Sequence, residues 1–345
     1  MSSIPIKVAI VGYGYSAKTF HLPFILSLSQ FEWVAVSSSQ SAYLNQHYPK
    51  VECYSDPYEM LAQTEAELVI ITSPNNVHFA LAKAALENGK HVILEKPFVT
   101  KSTEGEALIE IAEQVGCLLS VFQNRRWDGD FMTLRDVIAT GQLGEVKYFE
   151  SHFDRYRPEV RQRWRELAQD GGGILFDLGP HLLDQALCLF GMPNAVTAQC
   201  RIMRPNATTI DYVNIVLDYK ETIVNLHANL YSPEPNIRFN VLGTKAKYVK
   251  YGLDDQERHL KAGVIPLSEH WYSSLVEQAG IVYQEGEKPY EVIGQQGTYQ
   301  AYFEQVAAAI HGDRAIPVPA HEALESIRLI EAALESSQLG QRITL

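Results

Sequence analysis

The sequence is poor in cysteine and in positive charge. Its four cysteines, Cys53, Cys117, Cys188 and Cys200, follow neither the spacing of a metal site nor that of a disulfide framework. Each lies in an apolar stretch, so we expect four buried free thiols. The formal net charge of −12 argues against a nucleic-acid partner, because phosphate binding needs clustered lysine and arginine. The compact basic run at 155–165 is diluted by acidic residues, and it is either a phosphate neighbourhood or a solvated helix.

Long apolar segments are also missing. No run reaches the length of a membrane-spanning helix, and no secretory signal precedes the first apolar strand. We therefore expect a cytoplasmic chain that makes no membrane contact. The sequence does have the composition of a globular protein, with 46% hydrophobic and 20% charged residues. A length of 345 residues is enough for two domains with separate cores.

The first third alternates between short apolar runs and amphipathic segments. Buried strands that alternate with helices of this length imply parallel pairing with right-handed crossovers. This pattern predicts an α/β Rossmann domain, a doubly wound parallel sheet, over residues 1–123. Asp56 and Pro57 suit the N-cap and first position of one of its helices. The predicted strands are 6–11, 33–37, 67–72, 91–94 and 118–122, and the predicted helices are 18–29, 57–62, 77–88 and 104–115.

The remaining residues, 124–345, have a different pattern. Helices are predicted at 130–139, 174–190 and 320–336. Between 196 and 249, apolar residues alternate with polar ones, which is typical of a mainly antiparallel sheet with one open face. We therefore predict an α+β domain that binds substrate and forms the oligomer.

A glycine-rich turn follows the first predicted strand. In Gly12-Tyr13-Gly14-Tyr15-Ser16-Ala17, the first glycine permits a sharp turn, and the second lets the backbone approach a pyrophosphate. The helix that follows offers unpaired N–H groups and the positive end of its dipole. The position of the motif between a strand and a helix therefore predicts dinucleotide binding.

The end of the second strand bears on the choice of cofactor. Folds that prefer NAD place an acidic residue there to bind the ribose 2′-hydroxyl. This chain has Ser37, Ser38 and Ser39 instead, and no arginine follows. Without a carboxylate to repel a 2′-phosphate, the serines favour NADP over NAD.

Two further groups suggest proton transfer. Lys96 follows the strand at 91–94, at the sheet edge where ligands bind, and it either stabilises an alkoxide or forms a salt bridge with Glu95. Asp177 and His181 are four residues apart and share a helix face, as a general base with its carboxylate does. They are also compatible with an ordinary surface pair. No metal site is predicted, because no further histidine or cysteine shows a matching spacing nearby.

These motifs together resemble the Gfo/Idh/MocA oxidoreductases (glucose–fructose oxidoreductase, inositol dehydrogenase and relatives). They occur in the family's order and span nearly the whole chain, and residues 123–128 and 153–158 resemble the branch that contains scyllo-inositol dehydrogenases. The matching motifs are Gly12-x-Gly14-x-x-Ala17, Thr72-Ser73-Pro74-Asn75-x-x-His78, Glu95-Lys96-Pro97, Trp164-Arg165 and Gly171-Gly172-Gly173-x-x-x-Asp177-x-Gly179-x-His181.

The resemblance implies a role for each group of residues. Lys96, Asp177 and His181 are the expected catalytic residues: Lys96 contacts the substrate hydroxyl, His181 transfers its proton, and Asp177 orients substrate or imidazole. Asn124, Arg125, Trp127 and Tyr156 are plausible ligands of a cyclic polyol. The expected cofactor-binding residues are Gly12, Gly14, Tyr15, Ser16, Ala17, Ser37, Ser38, Ser73, Pro74, Asn75, His78, Glu95, Lys96, Trp164 and Arg165.

The leading hypothesis is hydride transfer between NAD(P) and a ring carbon of a sugar, inositol or related polyol. A glycosidase of the same family, which uses bound NAD as a redox catalyst, is one alternative, and a non-catalytic NADP(H) sensor is another. The family also implies a homodimer or homotetramer that forms through the open face of the C-terminal sheet.

Overall fold

The computed structural model describes residues 4–161, 166, 171–271 and 279–345. The chain divides into two compact units. The first comprises Met1–Asn124, Gln256–Tyr272 and Tyr299–Leu324. The second comprises Arg125–Asp255, Ser273–Thr298 and Glu325–Leu345.

The first unit contains a six-stranded parallel sheet. The strand order is β3-β2-β1-β4-β5-β6, so the chain reverses direction across the sheet at β1, as in a doubly wound fold. The central strands are apolar and buried on both faces, which confirms the predicted fold class of this part. The strands are β1 (Ile6–Val11), β2 (Phe31–Ser37), β3 (Glu52–Tyr54), β4 (Leu68–Ile71), β5 (His91–Leu94) and β6 (Leu119–Val121).

Helices connect the successive strands of this sheet, and two helices from later in the chain also belong to the unit. The predicted cap is present, since the Asp56 side chain accepts a hydrogen bond from the backbone N–H of Tyr58, with Pro57 at the first position. A π-helix at Ala17–His21 leads into the first α-helix, a local irregularity that the sequence pattern does not reveal. The helices are α1 (Leu22–Ser27), α2 (Ser41–His47), α3 (Pro57–Gln63), α4 (His78–Glu87), α5 (Ser102–Val115), α8 (Gln256–Lys261) and α9 (Tyr299–Ile310).

The second unit is built on a nine-stranded sheet. Its order is β14-β13-β12-β11-β7-β10-β9-β8-β15, and only β7 and β10 pair in parallel among the described strands. The prediction of a large, mainly antiparallel sheet is confirmed. The strands are β7 (Val146–His152), β8 (Ala195–Arg201), β9 (Tyr212–Asp218), β10 (Ile223–Asn229), β11 (Ile237–Gly243), β12 (Lys247–Tyr251), β13 (Gly280–Tyr283), β14 (Tyr290–Val292) and β15 (Ile343–Thr344).

The helices of the second unit cover one face of that sheet. Helix α6 spans Gly129–Ala139, and α7, Gly173–Phe190, packs against β9 and β10. Helix α10 spans Ala320–Leu339. Along β9 and β10 every second residue is buried, and the others are only partly covered or exposed. One face of the sheet therefore forms the core and the other stays open.

The cysteines differ from the sequence expectation. None forms a disulfide, but Cys188 is exposed on α7, and the other three are partly exposed rather than buried. Apolar neighbours in sequence did not predict burial, because Cys188 lies on the outer side of its helix. Among the described residues, no helix combines the length and apolar content needed to cross a membrane.

A buried ion pair lies in the core of the second unit. Arg238 Nε is 3.4 Å from Asp130 Oδ2, and both side chains have 0% exposure. The guanidinium donates hydrogen bonds to Ser151 Oγ at 2.7 Å and to Gln185 Oε1 at 2.5 Å. It also lies 4.0 Å from the ring centroid of Phe153. Asp130 makes no hydrogen bond to Arg238, so the charge of Arg238, with that of the buried Lys250 farther away, compensates the carboxylate.

We expect Arg238→Met to lower the free energy of unfolding by about 3–5 kcal/mol, because the charge of Asp130 stays buried without its partner. Urea denaturation measures the change. Arg342→Met is the matched control, since the Arg342–Asp218 pair is exposed and contributes less than about 1 kcal/mol. Adding Asp130→Leu to Arg238→Met should restore part of the loss. A similar small loss for both single variants would contradict this account.

Candidate active site

The glycine-rich loop lies at the carboxyl end of β1. Gly12 has a φ of +90°, and a Cβ built on it would lie 3.1 Å from Thr72 Oγ1. A Cβ on Gly14 would meet no atom within 4 Å, so the space above this residue is open. The loop is held by hydrogen bonds from Gly12 N to Ser37 O and from Thr72 Oγ1 to Val11 O. This open, glycine-lined turn before a helical segment has the shape that a pyrophosphate requires.

The serines at the end of β2 have a cation nearby. Ser37 is buried and Ser38 is half-buried, and Ser38 Oγ accepts a hydrogen bond from Gln40 N. Lys18 Nζ donates to Gln40 Oε1 at 3.0 Å and lies 4.3 Å from the ring centroid of Tyr13. Lys18 is not among the residues predicted from the sequence, although its position four residues after Gly14 places it in the first helical turn beyond the loop.

The loop that follows β4 contains a buried polar atom without a hydrogen bond among the described residues. Ser73 Oγ is buried and has no hydrogen-bond partner among the described residues. Asn75 is buried in a short 3₁₀ helix, Asn75–Val77, directly after Pro74. A bound dinucleotide offers hydroxyl and phosphate groups that fit such an orphaned hydroxyl. The open space at Gly14 and the Ser73 hydroxyl are therefore consistent with a cofactor site in this unit.

His78 ties this loop to the residue after Lys96. Its Nδ1 lies 2.9 Å from Pro97 O and its Nε2 lies 3.0 Å from Ser73 O. The ring has 0% exposure, and burial lowers the pKa of His78 despite its hydrogen bonds to backbone carbonyls. The imidazole thus connects the two loops from a buried position and is not exposed at their surface.

Lys96 follows a buried carboxylate at the end of β5. Glu95 Oε1 lies 2.9 Å from His21 Nε2 and is hydrogen-bonded by Ser16 Oγ. Burial by itself raises the pKa of Glu95, but the hydrogen bond and charge of His21, with Lys96 and Ser16, lower it to about 2. His21 is a residue that the sequence analysis missed. Its only signal is a histidine among the apolar residues 20–25.

Asp177 and His181 lie one turn apart on α7. The side chain of Asp177 is 21% exposed, and Oδ2 lies 3.7 Å from Arg155 Nη1. His181 is 5% exposed, and its ring centroid is 6.1 Å from that of Phe153. The two residues are therefore not an ordinary pair on the solvent face of the helix, because His181 points into the unit.

Gly173, the first residue of α7, makes room for another segment of the chain. Gly173 has a φ of +81°, and a Cβ on it would lie 2.7 Å from Ile210 O. Ile174 N donates a hydrogen bond to the same carbonyl at 2.8 Å. Gly173 therefore accommodates the close approach of the chain at Ile210.

The expected substrate ligands differ in their exposure. Asn124 and Arg125 are buried in a 3₁₀ helix, Asn124–Trp127, and Arg125 Nη1 lies 3.1 Å from Asp128 Oδ2. Trp127 is partly exposed and Tyr156 is 62% exposed. Trp164 and Arg165, which the resemblance implies for the cofactor, lie outside the described residues.

Comparison with known proteins covers both units. Residues 6–123 match the family model "oxidoreductase family, NAD-binding Rossmann fold" of the Gfo/Idh/MocA group, and residues 135–345 match its "C-terminal alpha/beta domain". The chain is 43% identical to the uncharacterized oxidoreductase YdgJ of Escherichia coli (strain K12), over 96% of both chains. It is 38% identical to the scyllo-inositol 2-dehydrogenase (NADP(+)) IolW of Bacillus subtilis (strain 168), over 99% of this chain and 96% of that one. The solved structure of yvaA from Bacillus subtilis gives a TM-score of 0.94 at 36% identity, over 99% of this chain and 100% of that one.

We expect Glu95→Gln to destabilise the protein at pH 7 and to lose this effect in acid. The folded pKa of Glu95, about 2, lies below the ordinary value of 4.5. The ionised carboxylate therefore stabilises the fold above pH 4.5, and this contribution, on the order of 3 kcal/mol, disappears as the pH falls towards 2.

Urea denaturation of wild type and variant at stepped pH values measures this difference. Glu113→Gln, at an exposed position on α5, is the control and should show little difference from wild type at any pH. A difference between wild type and Glu95→Gln that stays constant down to the acid limit would contradict the assignment of an ionised, buried Glu95.

Proposed function

The chain belongs to the Gfo/Idh/MocA family of NAD(P)-dependent oxidoreductases, and we propose that it transfers a hydride between NADP(H) and a ring carbon of an inositol, sugar or related polyol. The observation that carries the proposal is the presence of the family's ionisable groups in both halves of the chain. Lys96 follows β5 directly after a buried, ionised carboxylate, and Asp177 and His181 lie on α7. The full-length similarity to an NADP-dependent scyllo-inositol 2-dehydrogenase supports the substrate class.

NADP(H) is favoured over NAD(H) by the end of β2. Ser37 and Ser38 take the position that carries an acid in NAD-preferring folds. Gln40 links the Lys18 ammonium to Ser38, because its side chain accepts a hydrogen bond from Lys18 and its backbone N–H donates one to Ser38 Oγ. Hydroxyls and an ammonium suit a 2′-phosphate, which carries close to two negative charges. The glycine loop, with Tyr15, Ser16 and Ala17, would hold the pyrophosphate. Ser73, Pro74 and Asn75 would line the remainder of the cofactor site.

When bound, the nicotinamide ring accepts or supplies the hydride. In the oxidation direction, His181 takes the proton of the substrate hydroxyl, and it returns the proton in reduction. The role that the family resemblance gives Lys96 is to donate a hydrogen bond to the reacting oxygen and to stabilise the charge that develops on it. Asp177, one turn before His181, orients the imidazole or the substrate, and Arg155 at 3.7 Å balances its charge. Glu95 is held by His21 and Ser16 and fixes the backbone at Lys96 through the hydrogen bond from Lys96 N to Glu95 Oε2.

The polyol needs several hydrogen-bonding groups, and Asn124, Arg125, Trp127 and Tyr156 are the proposed suppliers. Because Arg125 is already paired with Asp128, its contribution is electrostatic rather than a free guanidinium contact. We also propose that the chain forms a homodimer or homotetramer through the open face of the C-terminal sheet. That face exposes large apolar side chains, among them Ile223, Leu242 and Tyr251, each about 40–50% exposed.

A fluorescence titration with NADPH and NADH, followed by a panel of inositols and sugars, tests the proposal. We expect tighter binding of NADPH and turnover of at least one cyclic polyol. Lys96→Met should reduce kcat by at least about 100-fold while cofactor affinity stays within about tenfold, since the lysine acts on the reacting oxygen. The exposed Lys83→Met is the matched control. Cofactor binding without turnover of any polyol would favour the glycosidase or the sensor, and an unchanged kcat in Lys96→Met would remove the assigned role.

The choice of cofactor can be tested separately. Lys18→Met should weaken NADPH binding by about tenfold and leave NADH binding nearly unchanged, because only the 2′-phosphate carries the additional charge. Ser38→Asp should act in the same direction through repulsion. Dissociation constants for both nucleotides provide the measurement. Equal losses for NADPH and NADH would mean that the ribose edge lies elsewhere.

A further inference from the structure

A cluster of two histidines and one aspartate lies on the open face of the C-terminal sheet, outside the residues assigned to hydride transfer. Side chains alternate along β7, so Glu150 and His152 face the open side, while Ser151 is buried. The alternation continues past the end of the strand. Phe153 N and Arg155 N donate hydrogen bonds to His227 O and Asn229 O on β10, which brings Asp154 to the same face as His152.

The parallel register of β7 and β10 completes the cluster. His152 is the direct partner of His227, and their ring centroids are 5.0 Å apart. His152 Nδ1 lies 2.9 Å from Asp154 Oδ2, and His227 Nδ1 lies 2.9 Å from Asp154 Oδ1. One ligand atom from each of the three residues lies within 4.8 Å of the other two. The side chains are only 9–16% exposed, so the atoms are held in a partly desolvated site.

A second layer of contacts surrounds the three residues. His152 Nε2 lies 2.9 Å from Glu150 Oε1, and Asn240 Nδ2 donates a hydrogen bond to Glu150 Oε2 at 2.9 Å. Asn229 N donates to Asp154 Oδ1 at 3.1 Å. The Glu150 carboxylate is close enough to His152 Nε2 to act through its charge, although the contact does not have the geometry of a hydrogen bond.

We propose that His152 Nδ1, Asp154 and His227 Nδ1 bind one divalent transition-metal ion, of which zinc is the reference case. Two imidazole nitrogens and a carboxylate form a ligand set that suits zinc, cobalt or nickel and suits magnesium or calcium poorly, since those ions take oxygen ligands. Three protein ligands leave further positions for water or another small ligand. The inference is independent of the proposed substrate and cofactor.

The same residues form a network of charges when no ion is bound. Burial alone lowers the pKa of His152, but its interactions with Asp154 and Glu150 outweigh burial and raise it. Burial alone raises the pKa of Asp154, but the hydrogen bonds to His152 and His227 lower it to about 2. The geometry places this carboxylate between the two imidazoles, with both Nδ1 atoms 2.9 Å from its oxygens.

The ion would anchor a strand that carries residues of the candidate active site on its other side. Phe153 and Arg155 flank Asp154 and point the opposite way, where Phe153 approaches His181 and Arg155 approaches Asp177. No part of the ligand set belongs to the hydride-transfer residues. We therefore assign the ion a structural role in holding residues 152–155, with no part in the chemistry.

Cobalt(II) titration of the EDTA-treated, full-length protein tests the proposal. Visible d–d absorption should appear and saturate at one ion per chain, and zinc should displace the cobalt. Excess zinc should also raise Tm by several degrees, because the ion binds the folded state selectively. The metal is added to folded protein and, in a second preparation, during refolding from urea. Refolding allows the ion to enter even if the proposed oligomer covers this face of the sheet. Absence of the absorption in both preparations, or saturation at half an ion per chain, would overturn the three-ligand site.

Variants assign the ligands. His227→Ala and Asp154→Asn should each weaken zinc binding by at least about tenfold, equal to about 1.4 kcal/mol of binding free energy. Glu150→Gln should weaken zinc binding less than the two ligand variants do, because Glu150 lies beside His152 Nε2 and is not itself a ligand. His47→Ala, an exposed histidine on α2, is the control and should bind as wild type does. Unchanged affinity in the two ligand variants would contradict the assignment.

Anomalous scattering from crystals of the wild-type protein grown with zinc does not depend on how the variants fold. A peak between His152, Asp154 and His227 is the expected result. Zinc peaks confined to other surface histidines would overturn the proposal.

Discussion

The parallel pairing of β7 with β10 is the constraint on which the second unit depends. It lies in the middle of a nine-stranded sheet that is otherwise antiparallel among the described strands, and it sets the register of His152 against His227. Because side chains alternate, one strand serves both faces. Ser151 and Phe153 contact Arg238 in the core, whereas His152 and Asp154 form the open-face cluster. A shift of one residue in this register would exchange the two sets.

Buried carboxylates recur in both units, and the same balance decides their charge. Glu95 and Asp154 are each pushed towards the neutral form by burial, and each is kept ionised by hydrogen bonds that include imidazole. Asp130 has Arg238 instead, a partner that carries its charge at any working pH. Desolvation alone is worth several kcal/mol for each ion. Glu95 and Asp154 offset it with hydrogen bonds, whereas Asp130 depends on the charge of Arg238 without a hydrogen bond to it. The histidines His21, His152 and His227 are therefore as important to the site architecture as the carboxylates they contact.

The sequence predicted those features that depend on short stretches of chain. Buried apolar runs identified β1 and β5, and Asp56 before Pro57 identified the start of α3. Edge strands such as β3 and β15 contain two or three residues, too few to show a period, and they were missed. The contacts of His21 with Glu95 and of His152 with His227 join residues about 75 positions apart. No local spacing encodes such pairs, since they depend on strand order and register. Gly173 belongs to a glycine run in the sequence, but its role depends on the carbonyl of Ile210, which is distant in the chain.

Discrimination between NADP(H) and NAD(H) depends on local charge rather than on the charge of the chain. A formal net charge of −12 disfavours the more anionic nucleotide, but salt screens charges beyond roughly 8 Å at physiological ionic strength. Only charges close to the end of β2 can therefore act on a nucleotide bound there. Lys18 is a cation in this region, and a hydrogen bond to Gln40 holds it in place. Gln40 bonds to Lys18, to Ser38 and to the carbonyl of Tyr13, so the ammonium is restrained before any nucleotide arrives. A restrained cation loses less side-chain entropy on binding than a free lysine does, which is the physical basis of the proposed preference for the nucleotide with the 2′-phosphate.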